Sequence, residues 1–154
     1  MHTAITPHAQ SLTRMLCSAA ALSLCIYAGV VSAEDVQVKL SGNQESPPVS
    51  TSASGSGTFT IGTDKTVNGK VTTTGMAGVA AHIHEGAPGK NGPVIIPLQK
   101  AGDNAWSTPA GAKLSDAQYD AFKAGNLYVN VHSAAHKDGE IRAQLKPSSL
   151  KSTK

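Results

Sequence analysis

Four histidines in two closely spaced pairs are the residues of this chain best suited to chemistry. His82 and His84 are separated by one residue within the segment 80–86. Side chains of a β-strand alternate between its two faces, so both imidazoles project from one face if this segment is a strand. His132 and His136 lie at the end of a second strand-like segment. Together the two pairs predict a metal site built from imidazole nitrogens.

The donor atoms of this predicted site determine which metals it favours. Both cysteines of the chain lie in the predicted leader described below, so the mature chain offers imidazole without thiolate. Such a donor set favours copper or zinc over an iron–sulfur cluster or a cysteine-rich zinc site. Copper binds most tightly in the divalent first-row series, so we expect copper, with zinc as the alternative. Three imidazoles would be enough to hold such a metal, and the candidates are His82, His84, His132 and His136, the last of which is interpreted either as a ligand or as a loop residue.

Three charged residues are candidates for supporting roles around the metal. A metal-bound imidazole usually donates its other ring nitrogen to a carboxylate or carbonyl oxygen. Glu85 and Glu140 are the acids nearest in sequence, although each is equally well explained as a surface carboxylate. Strand alternation turns Glu85 away from His84 unless the strand has already ended. Arg142 is expected either to steer a small anion as an exposed cation or to pair with a carboxylate across the sheet.

The apolar residues beside the histidines indicate where the core lies. Ala81 and Ile83 alternate with the first histidine pair, and Val129 and Val131 precede His132 in the same way. The apolar set predicts the core face, so the histidines are expected on the outward, solvated face of the sheet. A lone histidine on such a surface needs no function. The clustering of all four in the mature chain favours a metal site instead.

The first 33 residues have the pattern of a secretory signal. Arg14 precedes an apolar run at 15–31, and a small-residue cleavage site ends at Ala33. Neither cysteine follows a small residue, which argues against lipid attachment. Cleavage after Ala33 predicts a periplasmic or secreted protein without a membrane span.

The remaining chain is long enough for one domain with a sizeable core. We expect a β-domain over residues 34–146 and a flexible basic tail over 147–154. The whole chain carries 13 basic and 10 acidic residues, and no basic stripe interleaves with aromatic residues, which argues against nucleic-acid binding. A metal ion is the expected partner, together with a copper-donor or copper-acceptor protein.

Short segments of alternating apolar and polar residues, separated by turn formers, recur along this domain. A stretch rich in serine, glycine and threonine at 50–60 is interpreted as a loop that leads into a strand. Segments 127–132 and 139–145 are expected to form a hairpin, because their connection is short. The predicted strands lie near residues 36–40, 58–61, 66–74, 80–84, 94–98, 104–108, 127–132 and 139–145.

One short helix interrupts the strands. Ser115 and Gln118 have the spacing of a capping box, Asp116 lies in the first turn, and Gly125 closes the segment. Trp106, the single tryptophan, is expected to pack in the core or at its rim. The whole pattern predicts an all-β fold, an antiparallel Greek-key-like β-sandwich or flattened barrel of seven to eight strands with one short helix.

Several motifs, in order, resemble those of the CHRD domain, a module first described in chordin. They are Leu-Ser-Gly-Asn-Gln-Glu-Ser-Pro-Pro at 40–48, Ala-His-Ile-His at 81–84, Gly-Lys-Asn-Gly-Pro-Val at 89–94, Leu-Tyr-Val-Asn-Val-His at 127–132 and Gly-Glu-Ile-Arg-Ala-Gln-Leu at 139–145. The resemblance implies a secreted β-sandwich. His136 departs from the family pattern, in which small or amide residues and a proline tend to precede Gly-Glu-Ile.

The histidine pattern is also similar to the copper half of copper/zinc superoxide dismutase. That resemblance implies His82, His84 and His132 as copper ligands. The chain lacks the disulfide, the bridging histidine segment and the zinc loop of that enzyme, so the resemblance favours copper binding over dismutase activity.

Three functions follow from these patterns. The first is an exported copper-binding protein for copper storage, delivery or tolerance. The second is a copper-only enzyme similar to superoxide dismutase. The third is a metal-free adhesion or interaction module in which the histidines make structural polar contacts.

Overall fold

The computed structural model describes residues 32–151. The predicted signal, apart from Ser32 and Ala33, lies outside these residues, as does the end of the predicted basic tail. The start of that tail contains a short 3₁₀ turn, Ser148–Leu150. Within the described residues no helix is long and apolar enough to cross a membrane.

The described chain forms nine strands and one α-helix. In chain order they are β1 (Ala33–Ser41), β2 (Ser54–Gly62), β3 (Val67–Thr74), β4 (Gly78–Glu85), β5 (Val94–Pro97), β6 (Gln99–Gly102), β7 (Ala105–Ser107), α1 (Asp116–Lys123), β8 (Leu127–Ser133) and β9 (Ile141–Leu145).

All neighbouring strands pair antiparallel in a single sheet of order β5-β4-β8-β9-β1-β2-β3-β7-β6. The strands at its two ends, β5 and β6, are consecutive in the chain and joined through Leu98. The sheet therefore curls into a nearly closed barrel, which confirms the predicted all-β antiparallel class.

Two features of the sheet differ from the sequence prediction. The ninth strand, β6, is exposed along its whole length, so it has no apolar alternation by which to recognise it. β2 begins at Ser54, inside the predicted loop, because it pairs with β1 on one side and β3 on the other. Gly57 suits this position, because a Cβ atom there would lie 2.3 Å from the Lys70 carbonyl oxygen.

Apolar side chains from alternate strand positions fill the barrel interior. In β1 buried apolar residues alternate with exposed ones, as predicted. In β8 and β9 nearly all residues are buried, but the alternate apolar positions are the ones that join the core cluster, together with Trp106. The fully or nearly fully buried members include Val36, Leu40, Phe59, Val71, Ile83, Val129, Val131, Ile141 and Leu145.

The helix lies where the sequence predicts it. The Ser115 hydroxyl accepts a hydrogen bond from the Gln118 backbone N–H, and the Gln118 side chain accepts one from the Ser115 backbone. Gly125 follows the helix with a left-handed φ of 74°. Phe122 is buried, so the helix packs on the barrel and adds no second layer.

Pairing among β4, β8 and β9 aligns the polar residues of interest. His82 is opposite Asn130, which is opposite Arg142, and in the next row His84 is opposite Tyr128. Side chains of directly paired residues share a face, so these residues form one polar surface on the side of the sheet away from the core.

Candidate metal centre

The structure brings together three of the four predicted ligands. His82 and His84 lie on β4, and His132 lies near the end of the neighbouring strand β8, where it pairs with Ala80. One ring nitrogen from each of the three histidines lies within 4.8 Å of the others. These residues are called the histidine cluster below.

Hydrogen bonds fix the orientation of the His132 ring. Its Nδ1 lies 2.8 Å from the Lys137 carbonyl oxygen and donates a hydrogen bond to it. In a neutral imidazole this leaves Nε2 as the acceptor. That Nε2 lies 3.0 Å from Nδ1 of His82, which supplies the hydrogen between them. Both atoms are available as metal ligands in the tautomer of His82 that carries its hydrogen on Nε2 instead of Nδ1.

His84 is held in the same way by the loop after β4. Its Nδ1 donates a hydrogen bond of 2.9 Å to the Gly92 carbonyl oxygen. Its Nε2 is buried and has no hydrogen-bond partner among the described residues. A buried acceptor without a partner is costly, and a metal ion at the cluster would satisfy it. The donor set and this orphaned nitrogen therefore both fit a bound metal.

The expectation that the histidines face solvent is wrong for two of them. His84 and His132 are each only 8% exposed, and His82 is partly exposed. They do lie on the face away from the core, as the alternation predicts. The loop 86–93 and the turn 134–140 fold over that face and contribute the carbonyl groups that bind the rings. His82 provides the accessible side of the cluster.

Burial also affects the protonation of the cluster. The pKa of His84 is lowered from its ordinary value, chiefly by burial. The pKa of His82 is lowered by burial and then by the nearby charges of His132 and His84. Lowered pKa values keep these imidazoles neutral, which is the form that binds metals.

Arg142 is not the exposed cation that the sequence analysis offers as one of its roles. Its side chain is 1% exposed. The guanidinium donates hydrogen bonds to the carbonyl oxygens of Ala87 at 3.2 Å and Lys90 at 2.9 Å. It also binds the side-chain oxygens of Asn91 and Gln144, each at 3.3 Å. Arg142 therefore holds the loop 86–93 over the sheet, and neither Glu85 nor Glu140 is among these partners.

Tyr128 connects Arg142 to the histidine cluster. Its ring stacks on the His84 imidazole, with ring centroids 4.7 Å apart and planes at 6°. The guanidinium carbon of Arg142 lies 3.3 Å from the centroid of the tyrosine ring. The hydroxyl of Tyr128 accepts a hydrogen bond from the Gly92 backbone N–H at 3.2 Å. Gly92 thus binds both His84 and Tyr128 and keeps their rings together.

Glu45 is a buried acid near Arg142 that the sequence analysis does not identify. It is 6% exposed, and burial raises its pKa to about 7, although the charge of Arg142 and the Ser46 backbone oppose this shift. One of its carboxyl oxygens has no hydrogen-bond partner in the part of the chain that the structure describes. The residue lies within the motif at 40–48, but this segment is rich in turn formers and has no periodicity, so no alternation pattern indicates that Glu45 is buried. Alternation in β8, in contrast, places Tyr128 on the same face as His132.

The remaining predicted residues lie outside the cluster. His136 is in the turn between β8 and β9, where its carbonyl oxygen accepts from Gly139 and its N–H donates to Ser133. Glu85 ends β4 and projects from the face opposite His84, since the strand continues through it. Glu140 accepts a hydrogen bond of 2.7 Å from the Thr51 hydroxyl. In the described structure the hydrogen bonds that orient His84 and His132 go to carbonyl groups.

The fold and the site together define a class of protein: a small antiparallel β-barrel with a histidine cluster able to hold a metal ion. Residues 36–145 match the family model described as the CHRD domain. The chain therefore belongs to the CHRD domain family. No curated protein and no solved structure gives a significant match to it.

Proposed function

We propose that this protein is an exported copper-binding protein that serves copper storage, delivery or tolerance. His82, His84 and His132 are the ligands. The observation that carries the proposal is the approach of three imidazole nitrogens to within 4.8 Å, with two of the rings oriented by backbone carbonyl groups. Imidazoles oriented in this way are typical metal ligands.

Copper is preferred over zinc for two reasons. The donors are nitrogen alone, and copper exceeds zinc in the divalent affinity series. The pattern of the three histidines is also similar to the copper half of copper/zinc superoxide dismutase. Export is supported by the signal-like pattern of residues 1–33. The partly exposed His82 gives a copper-donor or copper-acceptor protein access to the metal.

The test is a metal titration of the purified protein. Cu(II), Cu(I) and Zn(II) are titrated separately in competition with chromophoric chelators of known affinity. We expect one copper per chain, tighter binding of copper than of zinc, and loss of that binding in His82→Ala and His132→Ala. Unchanged stoichiometry and affinity in both variants would reject the proposal.

His136→Ala is the matched control because it removes an imidazole from the same region. His136 lies outside the histidine cluster, so we expect its removal to change copper affinity by less than about twofold. A loss of about tenfold or more, which corresponds to about 1.4 kcal/mol, would make His136 a fourth ligand instead.

A copper-dependent enzyme similar to superoxide dismutase is the second candidate. The partial exposure of His82 favours it, because a small substrate needs an open coordination position. Superoxide consumption by the copper-loaded protein that disappears in His132→Ala would support the enzyme. Activity no greater than that of free copper would reject it. If the protein binds no metal at all, the third function, a metal-free adhesion or interaction module, is the one that remains.

A further inference from the structure

Arg142 and His84 lie on opposite faces of the Tyr128 ring. The guanidinium carbon is 3.3 Å from the ring centroid, and the imidazole is stacked on the same ring at 4.7 Å. Two groups cannot occupy one face of a phenol ring at these separations without overlapping. A permanent positive charge is therefore one aromatic ring away from a candidate metal ligand.

Within residues 32–151 no carboxylate is bonded to this charge. The four hydrogen-bond acceptors of the guanidinium are backbone carbonyl groups and neutral amide side chains. The ion pairs within residues 32–151 are Lys65 with Asp116 and Lys123 with Asp120, both remote from β9 in sequence. Glu45 is the acid whose charge acts on Arg142, and its burial disfavours ionisation.

The surroundings of Arg142 and His84 screen this charge only weakly. Arg142 is 1% exposed and His84 is 8% exposed, so little water lies around them to screen the charge. A nearby cation disfavours the more positive state of any group it acts on. Divalent copper carries one more positive charge than monovalent copper.

We propose that Arg142, acting across Tyr128 and His84, is a positioning residue whose fixed charge shifts copper in the histidine cluster toward the monovalent state. The inference rests on the proposed function, because it concerns copper bound by His82, His84 and His132. The charge of Arg142 favours the reduction of Cu(II) to Cu(I). In this reduction the copper gains one electron from an external one-electron donor, which is oxidised. Arg142 neither gains nor loses a proton or an electron in this step.

The test compares Cu(I) and Cu(II) affinities, because their ratio reports the reduction potential of the bound ion. Both affinities are measured by chelator competition on wild type and Arg142→Met, with stoichiometry determined in the same titrations. We expect Arg142→Met to lower the preference for Cu(I) over Cu(II) by about tenfold, which is about 59 mV for a one-electron couple. Lys146→Met is the matched control, because it removes an exposed cation that directly follows β9, and it should change the ratio by less than about twofold.

Glu45→Gln at pH 8 gives a second, independent result with the opposite sign. Glu45 is ionised at that pH, so the substitution removes a negative charge near Arg142. We expect the preference for Cu(I) to rise by about threefold to tenfold. This variant decides the question if circular dichroism shows that Arg142→Met does not fold.

The outcomes separate the two proposals. A wild-type protein that binds no stoichiometric copper overturns the proposed function and, with it, this inference. One copper per chain with the same Cu(I) to Cu(II) preference in wild type, Arg142→Met and Glu45→Gln overturns this inference alone. Opposite shifts in the two variants, at unchanged stoichiometry, support it.

Discussion

Nδ1 of His82 lies 3.0 Å from Nε2 of His132, although the two residues are 50 positions apart in the chain. This contact exists because β4 and β8 are neighbours in the sheet. The cluster needs residues from both strands, so its geometry exists only in the folded barrel. Metal binding at this cluster would therefore be coupled to folding.

Copper is predicted to stabilise the folded protein. A ligand that binds only the folded state raises the free energy of unfolding by about 2.7 kcal/mol when its free concentration is 100 times its Kd. We expect thermal unfolding, followed by circular dichroism, to shift upward with stoichiometric copper in wild type and in His136→Ala. The shift should be absent in His82→Ala. An equal shift in His82→Ala would place the binding outside the histidine cluster.

The stability of the metal-free protein is predicted to depend on pH through Glu45. Its pKa is about 7 in the folded protein against an ordinary value of 4.5, so the folded state binds the proton more tightly. The contribution of Glu45 to the free energy of unfolding is therefore fully present below about pH 4.5 and is lost as the pH rises through about 7. The loss is on the order of 3 kcal/mol.

Urea unfolding of wild type and Glu45→Gln between pH 4.5 and 8 measures this effect. The difference between their unfolding free energies should change across that window, with the variant gaining relative to wild type as pH rises. Glu140→Gln is the control of opposite sign. Although burial opposes the shift, hydrogen bonds from Ser133 and Thr51 lower the Glu140 pKa, so ionised Glu140 is favoured in the folded state. Parallel pH profiles for wild type and Glu45→Gln would contradict the prediction.

Gly139 is predicted to be intolerant of a side chain. Its φ is +128°, and a Cβ atom would lie 2.5 Å from Oε1 of Glu45. We expect Gly139→Ala to lower the free energy of unfolding by about 2–4 kcal/mol, from backbone strain together with the clash. Gly89→Ala separates these causes, because Gly89 has a φ of +73° with no atom within 4 Å of the added Cβ. Chemical denaturation measures both variants. Equal losses of unfolding free energy in Gly139→Ala and Gly89→Ala would mean that the clash with Glu45 contributes nothing to the loss.

The sequence predicts those parts of the molecule that depend on alternation within a strand. Val129 and Val131 are in the core, and His132 is on the other face, because side-chain direction in a strand is local. The helix after Ser115 is equally local, since its cap needs only residues three positions apart. β6 is not predicted, because an exposed edge strand has no apolar pattern.

The burial of the site is not predictable in the same way. His84 is covered because Arg142 binds the Ala87 and Lys90 carbonyl groups, which are more than 50 residues away in sequence. Such tertiary hydrogen bonds leave no periodic pattern in the chain. Glu45 is not predictable for the same reason. Its pKa is raised by burial, and that burial exists only in the folded protein.

The most direct test of the account is a crystal structure of the protein grown with copper, with anomalous diffraction recorded at the copper edge. The account predicts one copper ion per chain, about 2.0 Å from Nδ1 of His82, Nε2 of His84 and Nε2 of His132. Fully occupied copper bound elsewhere, or a cluster that stays empty at saturating copper, would contradict it.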